Sequence, residues 1–373
     1  MKILIHVHRL SGGGAERVAL SWAEGLASIG NEVTLLTDTQ FGKTSYRPSP
    51  KVKLMKKKKY HGNRSSLYGR LRGAVADRYE AFMQFYKLFK RKEIDAVINV
   101  LYLNSKEILL ARLLSGSKIP LIETDHNAYE RPKHSRFSIK QWTDKFILNR
   151  LANCVTVLTH RDKEILTRRG INHVEQLDNP LFLQPVEYVP VKKPIVLAVG
   201  RLDAYHCKGF DILIKAWCKI SGRFPEWKLR IVGSGSANTK KWLKSLTTDS
   251  NDSIEIIDFT TEIESLYREA SIFVLSSRYE GWGLVLVEAM SQGCAAIACD
   301  YKGRQTEIVE DGVNGLICPP EDIETLAKKI ELLISDKALR EQFQQAAPSS
   351  VKKFDEIKVA RRLEKLITST LEK

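Results

Sequence analysis

The chain has 373 residues, 43% of them apolar, enough to bury real cores and to make two domains the natural expectation. Its 59 Lys and Arg outnumber 44 Asp and Glu, giving a net charge of +15 and a pI near 9.4; that balance calls for an anionic partner, whether nucleotide phosphates, an acidic membrane surface or nucleic acid. No apolar run reaches the roughly 18 residues of a membrane span, residues 1–8 are too short and interrupted for a signal peptide, and the six cysteines form neither a CxxC pair nor a zinc spacing, which suits a reducing cytosol.

Lys2 to Val7 reads as a strand, Ser11-Gly12-Gly13-Gly14 as a turn, and Ala15 to Ile29 as a helix with Val18, Leu20, Trp22, Ala23 and Leu26 on its apolar face. Gly30-Asn31 ends that helix and Glu32 to Thr37 is the next strand, a βαβ unit with a glycine-rich first turn. The turn is neither GxGxxG nor a Walker loop, so by itself it reads equally as a tight turn or as a phosphate loop.

Residues 51–92 hold 14 cations against Asp77 and Glu80. Within them Leu67, Leu71, Val75, Tyr79, Phe82, Phe85, Tyr86 and Phe89 fall at helical spacing. Two readings stand: an amphipathic helix lying on an anionic bilayer, or a domain helix that packs its stripe on a sheet and leaves the lysines in water. No RNP motif or helix-turn-helix accompanies the basic strip, so nucleic acid is not expected.

Ile94 to Val100 reads as a strand, Ser105 to Ser115 as a helix, and Pro120 to Thr124 as a strand ending in Asp125-His126-Asn127. His126 thereby falls at the carboxyl edge of a parallel sheet, where ligands bind. Tyr129, Glu130 and Arg131 follow in a loop open to a ligand. Cys154 to Thr159 is another strand, His160 to Arg169 a helix, and Pro185, Pro190 and Pro194 mark a linker over 184–194.

The second half opens with the strand Ile195 to Val199, then Gly200-Arg201-Leu202, a loop to Lys208-Gly209, and a helix from Phe210 to about Ile220. A guanidinium and an ammonium flanking a strand-to-helix loop can neutralise a diphosphate without a metal. Trp227 to Val232 is a strand ending in Gly233-Ser234-Gly235, Ile254 to Phe259 another strand, and Glu264 to Ala270 a helix. Ile272 to Leu275 reads as a buried strand, and Leu284, Val287, Ala289 and Met290 recur at helical spacing. Glu280 therefore lies in a strand-to-helix loop and Glu288 inside the helix, with carboxylates roughly 8–12 Å apart. That is too far for a lysozyme-like pair but suits a grip on two ends of one extended ligand. Gly281 and Gly283 let backbone N–H groups approach a bound anion. Ala295 to Cys299 is a strand, Gly303 to Glu307 a turn, 321–335 a helix, and Phe354 to Glu372 a last helix.

Glu280-Gly-Trp-Gly-Leu-Val-Leu-Val-Glu288 resembles the Glu-x7-Glu signature of the retaining GT4-family glycosyltransferases (glycosyl transferases group 1), and Gly200-Arg201-Leu202…Lys208-Gly209 resembles that family's diphosphate clamp. The resemblance implies an α/β chain of GT-B fold, two Rossmann-like domains facing a central cleft. Residues 1–185 would bind the acceptor, 186–349 the nucleotide sugar, and 350–373 would form a C-terminal helix returning to the first domain. It also implies catalytic roles for His126, Glu280, Arg201 and Lys208. Donor contacts would come from Gly13 and Gly14, from Arg201, Lys208 and Gly233, and from Glu280, Gly281, Trp282, Gly283, Leu284 and Glu288. Gly303 to Glu307 stands where the family has a turn that contributes backbone donors.

The implied reaction moves a sugar, with retention, from a nucleotide sugar (UDP by family weight) to a glycan or lipid-linked acceptor of bacterial surface polysaccharide or lipopolysaccharide. The implied place is the cytoplasmic face of the cell membrane, with residues 51–92 touching acidic lipid. No metal or other cofactor is expected, because cations make the grip. Two other readings stay open: a nucleotide-sugar epimerase of the same fold, and a non-catalytic basic protein that binds membrane or nucleic acid.

Overall fold

A computed structural model of the chain describes residues 1–10, 13–38, 47–59, 66–131, 138–247 and 251–372; Ser11 and Gly12 of the glycine turn and Arg64 of the basic strip lie outside them. The chain divides into two compact units, Met1–Pro180 with Glu356–Lys373, and Leu181–Asp355.

The first unit runs β1 (Lys2–His6), α1 (Gly14–Ser28), β2 (Glu32–Thr37), β3 (Val52–Lys56), α2 (Leu67–Arg91), β4 (Ala96–Val100), α3 (Ser105–Ser115), β5 (Leu121–Thr124), α4 (Ile139–Phe146), β6 (Cys154–Val157), α5 (His160–Arg168) and β7 (Val174–Gln176). The sheet order is β3-β2-β1-β4-β5-β6-β7, every pair parallel. β4, β5 and β6 are buried along their whole length, as strands covered on both faces must be, and so read as near-continuous apolar runs. β3 differs: the sequence reading took it only as part of the basic strip. It is an edge strand with Lys53 and Lys56 exposed, where charge discourages pairing with another chain.

The aromatic stripe of α2 divides in two. Phe85, Leu88 and Phe89 are core residues packed with Ile108 and Ala111 of α3, whereas Leu71, Val75 and Tyr79 face solvent. The lysines divide as well: Lys57 donates to Asn104 and Lys59 pairs with Asp38, so of the Lys56–Lys59 run only Lys56 and Lys58 are exposed.

The second unit runs β8 (Lys193–Val199), α6 (Tyr205–Lys208), α7 (Phe210–Cys218), β9 (Lys228–Val232), α8 (Ala237–Ser245), β10 (Ile254–Ile257), α9 (Ile263–Glu269), β11 (Ala270–Leu275), α10 (Leu284–Ser291), β12 (Ala295–Cys299), β13 (Gly315–Cys318), α11 (Ile323–Ser335) and α12 (Lys337–Ser350). Its parallel sheet has the order β10-β9-β8-β11-β12-β13. Trp217, Phe210, Leu213 and Phe343 anchor its core.

The last helix, α13 (Glu356–Leu371), belongs to the first unit and lies on α1. A Cβ on Gly25 of α1 would stand 2.8 Å from the Cβ of Ala360, so the two helices touch backbone to side chain. Asn31 donates to Glu364 at 2.8 Å and Arg362 pairs with Asp178 at 2.5 Å. Each sheet changes winding direction once, between β1 and β4 and between β8 and β11. The carboxyl ends of those strands frame the crevices in which doubly wound sheets bind ligands.

Candidate active site

In the second unit, the loops after β8 and β11 flank the switch point, and they carry the charged groups singled out from sequence. After β8, Arg201 stands exposed in extended conformation, and among the described residues its side chain has no recorded partner. One 3-10 turn and the short α6 lead to Lys208, and Gly209 then turns the chain into α7 at φ +65°. A Cβ on Gly209 would lie 1.9 Å from the carbonyl oxygen of Ser276, so only glycine lets this turn press on the end of β11. The Ser276 hydroxyl donates to the Lys208 carbonyl at 2.8 Å, which binds the two loops together.

Across that contact, Lys208 Nζ donates to Glu280 Oε2 at 2.5 Å, and the Ser277 hydroxyl donates to the same oxygen at 3.3 Å. Burial disfavours the ammonium, but the Glu280 carboxylate outweighs it and holds the Lys208 pKa above its ordinary value. Arg278 completes the fastening: its Nη1 and Nη2 donate to the two Asp211 oxygens at 2.7 Å each, Nη1 also reaches the His206 carbonyl at 2.7 Å, and Nε reaches Glu321 at 2.8 Å. Burial raises the Asp211 carboxyl, yet the Arg278 fork more than offsets it and leaves the pKa lowered.

Glu288 lies inside α10, 3% exposed, with Oε2 accepting from the Tyr267 hydroxyl at 3.1 Å. Gly283 starts the helix at φ +113°, and Leu284 is its first residue. The opening N–H groups of a helix lack intrahelical partners and attract anions. Trp282 is corrected: its side chain is buried edge-on against Phe354, centroids 4.9 Å apart, so the indole is a core group and Trp282 offers a ligand only its backbone. Gly281 is buried beside it. Gly233 is glycine for a packing reason, since a Cβ there would lie 1.7 Å from the Gly200 carbonyl. The 303–307 turn is also corrected. Its N–H groups at Gly303, Gln305 and Thr306 donate to the Asp300 carboxylate at 2.6, 2.8 and 3.2 Å, so these donors are already used within the fold.

In the first unit, Gly13 caps α1 and its N–H donates to Glu16 at 3.2 Å; Gly13 and Gly14 are exposed at the carboxyl edge of β1. His126 follows β5. Its Nδ1 stands 3.0 Å from Asn179 Oδ1, an acceptor, so Nδ1 carries the proton, and the unprotonated Nε2 is an acceptor 3.5 Å from the Thr124 hydroxyl. Burial pulls the imidazole down to about 4 against the opposing pull of Asn179, which makes it neutral near pH 7. Tyr129 is corrected from loop contact to core. It is 4% exposed, its N–H donates to Asp162 at 2.9 Å, and its hydroxyl meets that of Tyr102. Glu130 is held by Arg161 at 2.8 and 3.1 Å.

Asn179, Ser276, Ser277, Tyr267 and the Arg278–Asp211 pair were missed from sequence. The usable signal was slight: a cation two places before Glu280 and an acid two places after Gly209. Among the described residues, no group of three or more His, Cys, Asp or Glu is placed to hold a metal ion, and no helix is long and apolar enough to cross a membrane.

Two parallel doubly wound sheets, with a cation–carboxylate pair and an exposed guanidinium at the switch point of the second, make this a doubly wound α/β protein whose charged groups stand where such sheets bind ligands. The comparisons make this specific. Residues 12–180 match the Glycosyltransferase Family 4 description and residues 183–350 match Glycosyl transferases group 1. The chain belongs to this family of glycosyltransferases. It is 26% identical over 95% of both chains to a Campylobacter jejuni enzyme named GalNAc-alpha-(1->4)-GalNAc-alpha-(1->3)-diNAcBac-PP-undecaprenol alpha-1,4-N-acetyl-D-galactosaminyltransferase. The fold matches the apo lipopolysaccharide outer core galactosyltransferase WaaB at TM-score 0.76, 19% identity and 99% of each chain. It matches Anabaena HepE, solved with UDP and glucose, at TM-score 0.77 and 19% identity over 99% of this chain and 100% of that one. The fold is GT-B.

Proposed function

We propose that the protein transfers a sugar, with retention, from a UDP-sugar to a glycan or lipid-linked glycan in bacterial surface polysaccharide or lipopolysaccharide synthesis, working at the cytoplasmic face of the membrane. The observation that carries this reading is the joining of Lys208 to Glu280 beside the unpaired Arg201 at the β8/β11 switch point. Arg201 and Lys208 neutralise the charge that grows on the diphosphate as the glycosidic bond breaks. The N-terminus of α10 adds its dipole. Glu280 takes hydroxyls of the donor sugar and supports an oxocarbenium-like state; Glu288, braced by Tyr267, takes the ribose hydroxyls. His126 offers its unprotonated Nε2, 3.5 Å from the Thr124 hydroxyl, to a sugar hydroxyl. The acceptor hydroxyl attacks on the face from which the diphosphate leaves, so retention needs no covalent intermediate.

Support for the donor comes from HepE, which was solved with UDP and glucose, and support for the acceptor from the undecaprenol-linked substrate in the Campylobacter enzyme's name and the lipopolysaccharide in that of WaaB. The deciding experiment is a thermal-shift screen against UDP, GDP, ADP and their common sugars. A ligand at 100 times its Kd stabilises by about 2.7 kcal/mol. A raised midpoint with UDP and a UDP-sugar is expected. A shift only with GDP or ADP compounds overturns the choice of base, and no shift with any overturns the reading.

A further inference from the structure

The carboxyl edge of the first sheet gathers cations that the fold leaves in excess. His8 and Arg9 follow β1, Asp38 follows β2, and Lys57, Lys58 and Lys59 follow β3. Backbone bonds set the three strand ends side by side: the Asp38 N–H donates to the His8 carbonyl at 3.1 Å and the Lys57 N–H to the Thr37 carbonyl at 2.9 Å. Among the described residues Asp38 is the one acid directly after these strands, and Lys59 takes it. Arg9 is exposed and has no recorded partner among them. Burial first, and then the charge of Lys59, pulls the Lys57 ammonium down to about 8; Asp38, Asp77 and Glu107 oppose the shift without cancelling it, and Arg78 already holds Glu107. Burial, and then Lys57, Arg9 and Lys59, likewise hold the His8 imidazole below its ordinary value.

Lys57 does not trail into solvent. It is half-buried and donates from Nζ to Asn104 Oδ1 at 2.7 Å, although β2 and β1 separate β3 from β4 in the sheet. The ammonium therefore reaches over to the β1/β4 crevice, where the winding changes direction. A rare turn brings Asn104 to meet it. Leu101, Tyr102 and Asn104 all stand in the left-handed region, at φ +59°, +57° and +56°, which residues other than glycine seldom adopt. Leu101 is 42% exposed, so burial does not offset its strain. Strain of this kind persists where a site uses it. The turn is pinned from beneath, the Leu101 N–H donating to the Thr124 carbonyl at 3.0 Å and the Tyr102 hydroxyl to Asp125 at 3.1 Å. It runs into α3, an 11-residue helix that has no side-chain cap, so the unpaired N–H groups of its first turn start beside the Lys57 ammonium. An ammonium, a nearby guanidinium and a helix start, with the local acid already taken, are complementary to an oxyanion. A lysine that only tied β3 to α3 would need no second and third cation around it.

We infer that the β1/β4 crevice of the first unit holds an anionic group of the acceptor, a phosphate or a carboxylate, against Lys57, with Arg9 and the first turn of α3 as its other contacts. The inference rests on the transferase reading above, which already gives the diphosphate of the donor to Arg201 and Lys208 and so leaves these cations to the other substrate. It narrows the acceptor from any glycan to one that carries a negative charge near the hydroxyl that reacts.

The test is isothermal titration calorimetry of the full chain with inorganic pyrophosphate and with glucuronate. The starting protein is Arg201→Ala/Lys208→Ala, which lacks the cations of the second unit. It is expected to bind at least one of the two anions at a single site. Adding Lys57→Gln, whose amide keeps a donor for Asn104 and loses the charge, should weaken that binding by about ten-fold or more. Arg9 is exposed, so Arg9→Ala keeps the fold; its weaker binding carries the proposal if the thermal midpoint shows that the Lys57 variant is unfolded. Binding of pyrophosphate alone assigns the site to a phosphate, and of glucuronate alone to a carboxylate. No binding of either anion, or binding that neither substitution weakens, overturns the site. In the otherwise wild-type chain Lys57→Gln should leave UDP binding unchanged; a loss of about ten-fold there would put these cations on the donor and overturn the assignment to the acceptor. If the wild-type chain binds none of UDP, GDP and ADP while pyrophosphate still binds at Lys57, the transferase reading fails, and the assignment to an acceptor falls with it.

Discussion

Lys208 and Glu280 lie 72 residues apart in the chain and meet as a hydrogen-bonded ion pair of 2.5 Å, one from the loop after β8 and the other from the loop after β11. The sequence reading gave them separate ends of the donor, the ammonium to the diphosphate and the carboxylate to the sugar. Their contact shows that one group sets the position of the other. In the proposed reaction a diphosphate arriving beside Lys208 would compete with Glu280 for the same ammonium and free the carboxylate toward sugar hydroxyls.

Replacing either partner should therefore disable both functions. Glu280→Ala, Lys208→Ala and Arg201→Ala are each expected to lower donor turnover by about 10²–10³-fold. Arg201 lacks a recorded partner, so its loss should leave the thermal midpoint unchanged. Steady-state transfer or donor hydrolysis measures the effect, and near wild-type rates in all three variants would remove these residues from the site.

Arg278 fastens the Glu280 loop to α7 through Asp211. Arg278→Ala leaves a mostly buried carboxylate without its fork and is expected to destabilise the protein by about 3 kcal/mol. Arg278→Lys should recover only part of this, because an ammonium cannot engage both oxygens in the same plane. Urea unfolding followed by circular dichroism reads both. Equal stability of all three proteins would show that the loops hold together without Arg278.

His126 gives a pH dependence of known sign. Its folded pKa, about 4, lies below the ordinary 6.5. Between those values the unfolded chain binds the proton and the folded chain does not, so stability falls as pH drops from 6.5 to 4. The loss approaches about 3 kcal/mol and is complete below the folded pKa. In His126→Gln this part of the slope should vanish. Identical slopes in wild type and variant would place the imidazole in contact with water.

Transfer should survive EDTA, because the proposed diphosphate grip is cationic. The assay is activity before and after chelation, and complete loss restored by manganese would show that a metal shares the work of Arg201 and Lys208.

Much of the fold was legible because strands covered on both faces must be apolar, and runs such as Ile195 to Val199 and Ile272 to Leu275 stand out for that reason. β3 was not legible: an edge strand needs only half an apolar pattern, and in Val52–Lys56 two lysines, Lys53 and Lys56, break even that alternation. α12 was missed between two helices that were read, and it has Pro348 in its last turn. In the site, the strand-to-helix loops bearing Arg201, Lys208 and Glu280 followed from glycine spacing and hydrophobic period. What holds them together did not. The Asp211–Arg278 fork depends on loops meeting in space, and nothing in local sequence announces such a meeting, whereas the capture of the 303–306 donors by Asp300 is a local turn contact that the sequence reading passed over. The exposure of Leu71, Val75 and Tyr79 was hidden for a related reason, since a helical period says that a face exists and not what covers it.

The seating of α13 on α1 has a consequence for synthesis. The closing piece of the first unit leaves the ribosome after the whole second unit, which is translated between the two parts of the first. Domains fold as units during synthesis, N-terminal ones ordinarily first. Here the order must invert: Leu181–Asp355 can finish while the earlier residues still wait, with the Gly25 face of α1 uncovered, for Ala360 to arrive. A nascent chain stalled before Glu356 would hold one finished half and one half that has begun but cannot close.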